Sequence, residues 1–150
     1  MMKKRKFPLE KISKYRSYLE DEQAIRFKEA SNVERTIENW LDDHNSQLDN
    51  KYQQRDEAIT CDRLNIHRLK VLQEQVLFAE LDKNVLEREL LKASDRRERE
   101  RVSWLQRKGE SDAMDKLEDR FKEKVRKENL VEDQKEIDEL ARQIYLRKEK

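Results

Sequence analysis

The stretch AITCDRLNIHRLKVLQEQVLFAE, residues 58–80, decides the fold because it joins the end of one helical pattern to the start of another. It contains no glycine or proline, and in the whole chain those residues occur once each, as Gly109 and Pro8. Since glycine and proline form most tight turns, this chain can reverse only once or twice, and the sequence predicts a few long helices. Residues 60–64 are the favoured reversal, because Thr60 and Asp62 are good N-cap residues for a helix that starts at Arg63 or Leu64. An uninterrupted helix through this point is the alternative.

After the reversal, apolar residues recur at alternating steps of three and four residues, which is typical of a coiled coil. The predicted seam of this helix, meaning its line of inward-facing residues, is Leu69, Leu72, Val76, Ala79, Lys83, Leu86, Leu90 and Ala93. Before the reversal the steps average about 3.6 residues, which favours an α-helix with a weak supercoil. The predicted seam there is Ala30, Val33, Ile37, Trp40, His44, Leu48, Tyr52, Arg55 and Ile59. The sequence thus predicts an all-α protein, a long antiparallel two-helix coiled-coil hairpin with a helical C-terminal extension.

The region beyond Ala93 is less regular. Residues 94–101, SDRRERER, form a charged block in which we find no seam. Further on, Met114, Leu117, Phe121 and Val125 again follow a helical spacing. We therefore expect a hairpin over residues 1–108 and a helical extension over residues 109–150, which either starts afresh after Gly109 or continues the second helix. Because the first helix is too short to cover it, the extension is expected to be exposed, mobile or docked on another molecule.

The composition narrows the classes of function. Charged residues make up 46% of the chain, yet 35 basic and 34 acidic side chains leave a formal net charge of only +1. Balanced charge indicates solvated helix faces and argues against nucleic acid as a partner. Cys61 is the only cysteine, so a reducing compartment is expected. The absence of any long apolar stretch predicts no membrane insertion, and we expect a cytoplasmic protein.

The same search gives no candidate for catalysis, cofactor binding or metal binding. A single glycine cannot form a glycine-rich phosphate loop. Cys61 has no arrangement of base and orienting group around it, and His44 falls on the predicted seam. The sequence therefore predicts a protein that is not an enzyme.

The candidate functional residues are instead side chains that the contact between the two helices of a hairpin does not need. A series of Leu64, Val71, Phe78 and Val85 runs beside the second seam, and Leu77 and Leu81 lie four residues apart on another side. The expected partner-binding residues are Leu77, Phe78, Leu81, Trp40, Arg96, Arg97, Arg99 and Arg101. Plain solvated charge and ordinary tryptophan packing are the alternatives. We also expect the basic residues Lys3–Lys6 to meet the Arg96–Arg101 block at one end of the hairpin.

A family resemblance adds a function to this pattern. The basic N-terminus, the glycine-poor first helix, the segment AITCDRL at residues 58–64 and RLKVLQE at residues 68–74 resemble the YscO family of bacterial type III secretion systems, which is related in architecture to the flagellar protein FliJ. The local similarity covers about residues 54–91. The resemblance implies a cytoplasmic component at the base of the injectisome, and so a role in virulence. There the hairpin lies against the secretion ATPase like the γ stalk of rotary ATPases, and members are associated with the export gate protein and secretion chaperones.

Three hypotheses follow from the residues and the resemblance. The first is a non-enzymatic adaptor of a type III export apparatus that modulates an ATPase without binding nucleotide. The second is a self-associating structural coiled coil, and the third is a chaperone that clamps client helices. The first hypothesis favours a monomer over a homodimer, because Leu77, Phe78 and Leu81 then remain available to a foreign partner.

Overall fold

The computed structural model describes residues 5–148, and the fold class expected from the sequence is confirmed. Helix α1 spans Glu10–Thr60, 51 residues, and helix α2 spans Ile66–Lys148, 83 residues. The two helices run antiparallel and pack against each other, and the described residues contain no strand. Pro8 lies in the turn before α1, where its missing N–H costs nothing, and Glu10 places a carboxylate at the positive end of the helix.

The reversal occupies residues 61–65, and its cap differs from the one that the sequence predicts. Asn65, not Thr60 or Asp62, is the N-cap of α2, because its Oδ1 accepts a hydrogen bond of 3.1 Å from the backbone N–H of Arg68. The Thr60 hydroxyl instead donates to the Asp56 carbonyl within α1. No described residue, Gly109 included, has a positive φ. The reversal therefore needs no left-handed residue, which explains how a chain without a local glycine can turn here.

Helix α2 passes through Gly109 without a break. A Cβ atom at this position would meet nothing within 4 Å, so no close packing requires a glycine there. The division of the chain at residues 108 and 109 remains a prediction. By its contacts, the chain forms two compact units, each built from a segment of both helices: one runs from Gln23 to Trp104, and the other combines the residues up to Glu22 with those from Leu105 onwards.

The unit from Gln23 to Trp104 contains a narrow apolar core. Leu48, Val76 and Ala79 are nearly fully buried, and Tyr52 packs against them. On α2 every residue of the predicted seam from Leu69 to Ala93 is buried or half-buried, Lys83 included. Alanines at several of the buried positions leave room for the helices to approach closely.

On α1 the predicted seam is partly wrong. Its exposed members are Val33, Trp40 and Ile59. The inward positions of α1 in this unit are Ala30, Glu34, Ile37, Leu41, His44, Leu48, Tyr52, Arg55 and Ala58. Their steps of four and three residues average about 3.5, the heptad spacing of a left-handed coiled coil, rather than the 3.6 of the predicted seam.

In the other unit, the N-terminal part of α1, up to Glu22, and the residues before α1 pack on α2. Arg16 Nη1 lies 2.5 Å from Glu110 Oε2, and Ser111 is buried. The rings of Phe7 and Phe121 have centroids 5.5 Å apart. From residue 134 to residue 148 every residue of α2 is exposed, as expected for a second helix that is longer than the first.

Replacing Leu48 by alanine should lower the free energy of unfolding by about 2 to 4 kcal/mol, because it removes a buried side chain and leaves a cavity in the core of Val76 and Ala79. Leu77→Ala is the matched control, and its effect should stay within about 0.5 kcal/mol because Leu77 is exposed. Urea unfolding followed by far-ultraviolet circular dichroism measures both. Equal losses for the two variants would contradict this assignment of the seam.

Candidate interaction surface

An exposed apolar cluster lies on α2 on the side that faces away from α1. Because Val76 and Ala79 point into the seam, the neighbouring positions 77, 78 and 81 point outward. Leu77, Phe78 and Leu81 are 54%, 64% and 52% exposed. Residues three and four apart on a helix are neighbours on its surface, so Leu81 lies beside both Leu77 and Phe78, and we call the three residues the back-face cluster.

Two features surround the back-face cluster. Val85, also exposed, follows Leu81 by four residues and extends the apolar surface along the helix. On the other side, a shallow open groove begins at Leu77 and is lined by polar side chains of both helices, including Arg55, Lys70 and Glu80. A bound segment could therefore bury apolar side chains on the cluster and make hydrogen bonds along the groove.

At the groove, three polar side chains connect α1 to α2, and the sequence analysis missed this group. The Tyr52 hydroxyl of α1 donates a hydrogen bond to Glu80 Oε1 of α2, and the guanidinium carbon of Arg55 lies 5.2 Å from the centre of the Tyr52 ring. This hydrogen bond raises the pKa of the Tyr52 phenol above its ordinary value, because the carboxylate stabilises the protonated phenol. Tyrosine and arginine at one edge of an apolar patch are typical of protein interfaces. No local sequence signal identifies this group, because it depends on Glu80 of α2 lying opposite Tyr52 of α1.

Trp40 lies on a different part of the molecule from the back-face cluster, because it belongs to α1 and the cluster belongs to α2. It is exposed and lies between the inward positions Ile37 and Leu41. Its role in partner binding remains a prediction.

The four arginines of the charged block have different surroundings. Arg97 lies in the seam, where its Nε is 2.5 Å from Glu34 Oε2 and the Glu34 side chain is only 15% exposed. The contact is an ion pair rather than a well-aligned hydrogen bond. Arg101 forms two hydrogen bonds with the Glu98 carboxylate, and these lower the pKa of Glu98. Arg96 and Arg99 are exposed.

The charged block therefore continues the seam, which corrects the expectation that it has none. Arg97 and Glu100 follow Ala93 at steps of four and three residues, and Trp104 follows at a step of four. Gln23 donates to both the carbonyl and the carboxylate of Glu100. The Trp104 ring stacks on Phe27 with centroids 5.8 Å apart. Extending the heptad through the charged residues is the sequence signal that finds these positions.

Among the described N-terminal basic residues, Arg5 does not pair with the Arg96–Arg101 block as the sequence analysis expected. Arg97 is opposite Glu34, whereas Arg5 lies 2.8 Å from Glu128. Because the helices reverse at residues 61–65, a residue near position 5 meets one near 125, and the charged block meets residues near 30. Lys3 and Lys4 lie outside the described residues.

Two further findings concern chemistry and membranes. Within residues 5–148, no group of three histidine, cysteine, aspartate or glutamate side chains is placed to hold a metal ion. None of the described helices is long and apolar enough to cross a bilayer.

Comparison with known proteins identifies a family over nearly the whole chain. The family model described as Flagellar FliJ protein matches residues 5–150. This confirms the resemblance to FliJ-related secretion proteins that the sequence suggested. No curated protein and no solved structure matches the chain.

The Arg97→Gln variant should be less stable than the parent by about 1 kcal/mol, because Glu34 then keeps its shielded carboxylate without the ion pair. Arg96→Gln is the control on the same block, and it should change stability by less than about 0.5 kcal/mol because Arg96 is exposed. Thermal unfolding of the two variants measures the difference. If Arg97→Gln is as neutral as Arg96→Gln, the ion pair does not stabilise the seam.

Proposed function

Since the chain belongs to the FliJ family, we propose that it is a non-enzymatic adaptor of a bacterial type III secretion apparatus and acts on the cytoplasmic side of the membrane. Its proposed partners are the secretion ATPase, the export gate protein and secretion chaperones. The observation that carries the proposal is the back-face cluster of Leu77, Phe78 and Leu81, which lies outside the seam and stays more than half exposed.

The energetics of the cluster favour a binding role. The three side chains lie outside the buried core of Leu48, Val76 and Ala79, and each stays more than half exposed. Leaving large apolar groups in water forgoes roughly 1.5 to 3 kcal/mol for each side chain that a partner could bury completely. Contiguous apolar patches on soluble surfaces commonly mark interaction sites. An amphipathic helix or an apolar loop of an export component fits this surface, with its polar edge along the groove at Arg55 and Glu80.

Modulation of the ATPase is the second part of the proposal. Residues Arg96 and Arg99 offer exposed positive charge, whereas Arg97 and Arg101 are held by Glu34 and Glu98. Two exposed cations suit an acidic surface on an ATPase ring, and attraction of this kind acts mainly on the rate of association. In this proposal the chain changes the activity of the ATPase by binding to it and contributes no group to nucleotide hydrolysis.

Replacing both Leu77 and Leu81 by serine should weaken binding to an export partner at least about tenfold and abolish secretion, because the apolar contact area is lost. Helicity and melting temperature should be nearly unchanged, since both side chains are exposed. Pull-down of export components and a secretion assay in cells give the two readouts.

Val102→Ser with Leu105→Ser is the matched control, because both residues are exposed apolar side chains of α2 outside the cluster. It should leave binding and secretion intact. Normal secretion by the Leu77 and Leu81 variant would contradict the proposal. Loss of motility alone indicates a flagellar apparatus, and loss of effector export indicates an injectisome.

Replacing Arg96 and Arg99 by glutamine should reduce stimulation of a cognate secretion ATPase, with the larger difference from the parent at low salt. Electrostatic attraction at an exposed surface is screened over about 8 Å at physiological ionic strength, so stimulation by the parent should itself fall as salt rises. Steady-state ATP hydrolysis measured across a salt series tests this, and the chain alone serves as the blank. Equal stimulation by the variant and the parent at low salt would show that the two arginines are only solvated charge.

A further inference from the structure

The end of α2 presents a heptad pattern with no helix of the described chain against it. The contacts of this unit reach Arg5 with Glu128 and Phe7 with Phe121. Residues 134–148, which follow, are all exposed. We call residues 130–148 of α2 the distal segment.

One face of the distal segment has the spacing of a coiled-coil seam. Its members recur at steps of three and four residues, and they are Leu130, Asp133, Ile137, Leu140, Ile144 and Arg147. The four apolar members are all more than half exposed. Such a stripe normally packs against a second helix, because heptad spacing keeps the apolar residues on one side over several turns.

The charges of this face identify the second helix. An acidic pair, Glu132 and Asp133, lies near the beginning of the distal segment, and a basic pair, Arg147 and Lys148, lies at its end. The segment is therefore complementary to its own reversed copy. In an antiparallel pair, each acidic end meets a basic end, whereas a parallel pair would place like charges together.

We propose that the distal segments of two copies of this chain associate as an antiparallel coiled coil. In an antiparallel coiled coil, an a position of one helix packs against a d position of the other. Ile137 of each copy therefore packs against Leu140 of the other copy, and the twofold axis passes near residues 138 and 139. The same register places Asp133 level with Ile144 of the other copy and Arg147 level with Leu130, so at both ends Asp133 and Arg147 are three residues apart along the axis, within reach of their long side chains. The contact is isologous, so it closes at two copies and does not continue into a filament.

This association goes beyond the proposed function and does not depend on it. The distal segment shares no residue with the back-face cluster, so each copy keeps that surface available. The paired length is short, which makes the association weak. The monomer expected from the sequence then prevails in dilute solution, and the pair forms where the protein is concentrated.

Charge reversal at single sites tests the proposal, with Cys61→Ser as the parent so that no disulfide can form. Asp133→Arg makes both ends of the segment basic, and Arg147→Asp removes the net positive charge from its C-terminal end, so each variant places like charges at positions 133 and 147. Sedimentation equilibrium from about 5 µM to about 1 mM should show a reversible increase in mass for the parent. Each variant alone should have a dissociation constant at least about tenfold higher. An equimolar mixture of the two variants should recover association, because each now complements the other.

Adding Leu77→Ser and Leu81→Ser to the parent is the control, and it should leave the association unchanged because those residues lie outside the distal segment. A parent that stays monomeric at the highest concentration overturns the proposal. A mixture that associates no better than its separate components overturns it too, since a contact elsewhere, or a segment that serves a different protein, gives that result. Circular dichroism confirms that each variant retains its helices.

Discussion

The structure from Gln23 to Trp104 depends on a single line of side-chain contacts between two helices. With nearly half of the chain charged, little apolar surface is available for burial, and the core reduces to Leu48, Val76, Ala79 and their neighbours. Helices of this composition gain most of their stability from packing along the apolar stripe rather than from propensity alone. The heptad spacing matters more than any one residue, because it keeps successive contacts on the same side of both helices.

Polar residues extend this line of contacts where apolar ones run out. Past Ala93 the seam is continued by Arg97 with Glu34 and by Glu100 with Gln23. His44 Nε2 lies 2.7 Å from the Ala79 carbonyl, so the seam is polar at this level as well. Polar layers of this kind bind less tightly than leucine layers, but they disfavour other alignments, because a shift of either helix leaves a shielded charge without its partner. The seam of this unit thus combines polar layers, which favour one alignment, with the apolar core of Leu48, Val76 and Ala79.

How far the sequence predicts the fold differs between the helices. On α2 the heptad is clear, and each predicted seam residue from Leu69 to Ala93 faces inward. On α1 the local pattern favoured Val33 over Glu34, because valine is the apolar residue of the two. Glu34 does fall on the heptad spacing, but a charged residue is assigned to a seam with reason only when its partner, here Arg97, is seen opposite it. The N-cap was displaced for a similar reason, since Thr60, Asp62 and Asn65 are all good caps and tertiary packing selects among them.

In the candidate site, too, some residues can be predicted from the sequence and others cannot. Outward placement of the side chains at positions 77, 78 and 81 can be predicted from the helical period, because it is the complement of a seam that the sequence defines well. The sequence separates Arg97, which lies in the seam, from the exposed Arg96 and Arg99 only if the heptad is extended through residues 94–101. The group of Tyr52, Arg55 and Glu80 escapes prediction, because it requires knowing which residues of the two helices lie opposite each other.

The back-face cluster lies on the opposite side of α2 from the seam, and this separation has an evolutionary consequence. Leu77, Phe78 and Leu81 are more than half exposed and belong to no part of the buried core, whereas the core residues Leu48, Val76 and Ala79 belong to no part of the cluster. In the proposed function, selection for a partner therefore acts mainly on the cluster, and selection for the fold acts mainly on the seam. A few substitutions in the cluster can then change the partner while the heptad keeps the two helices paired.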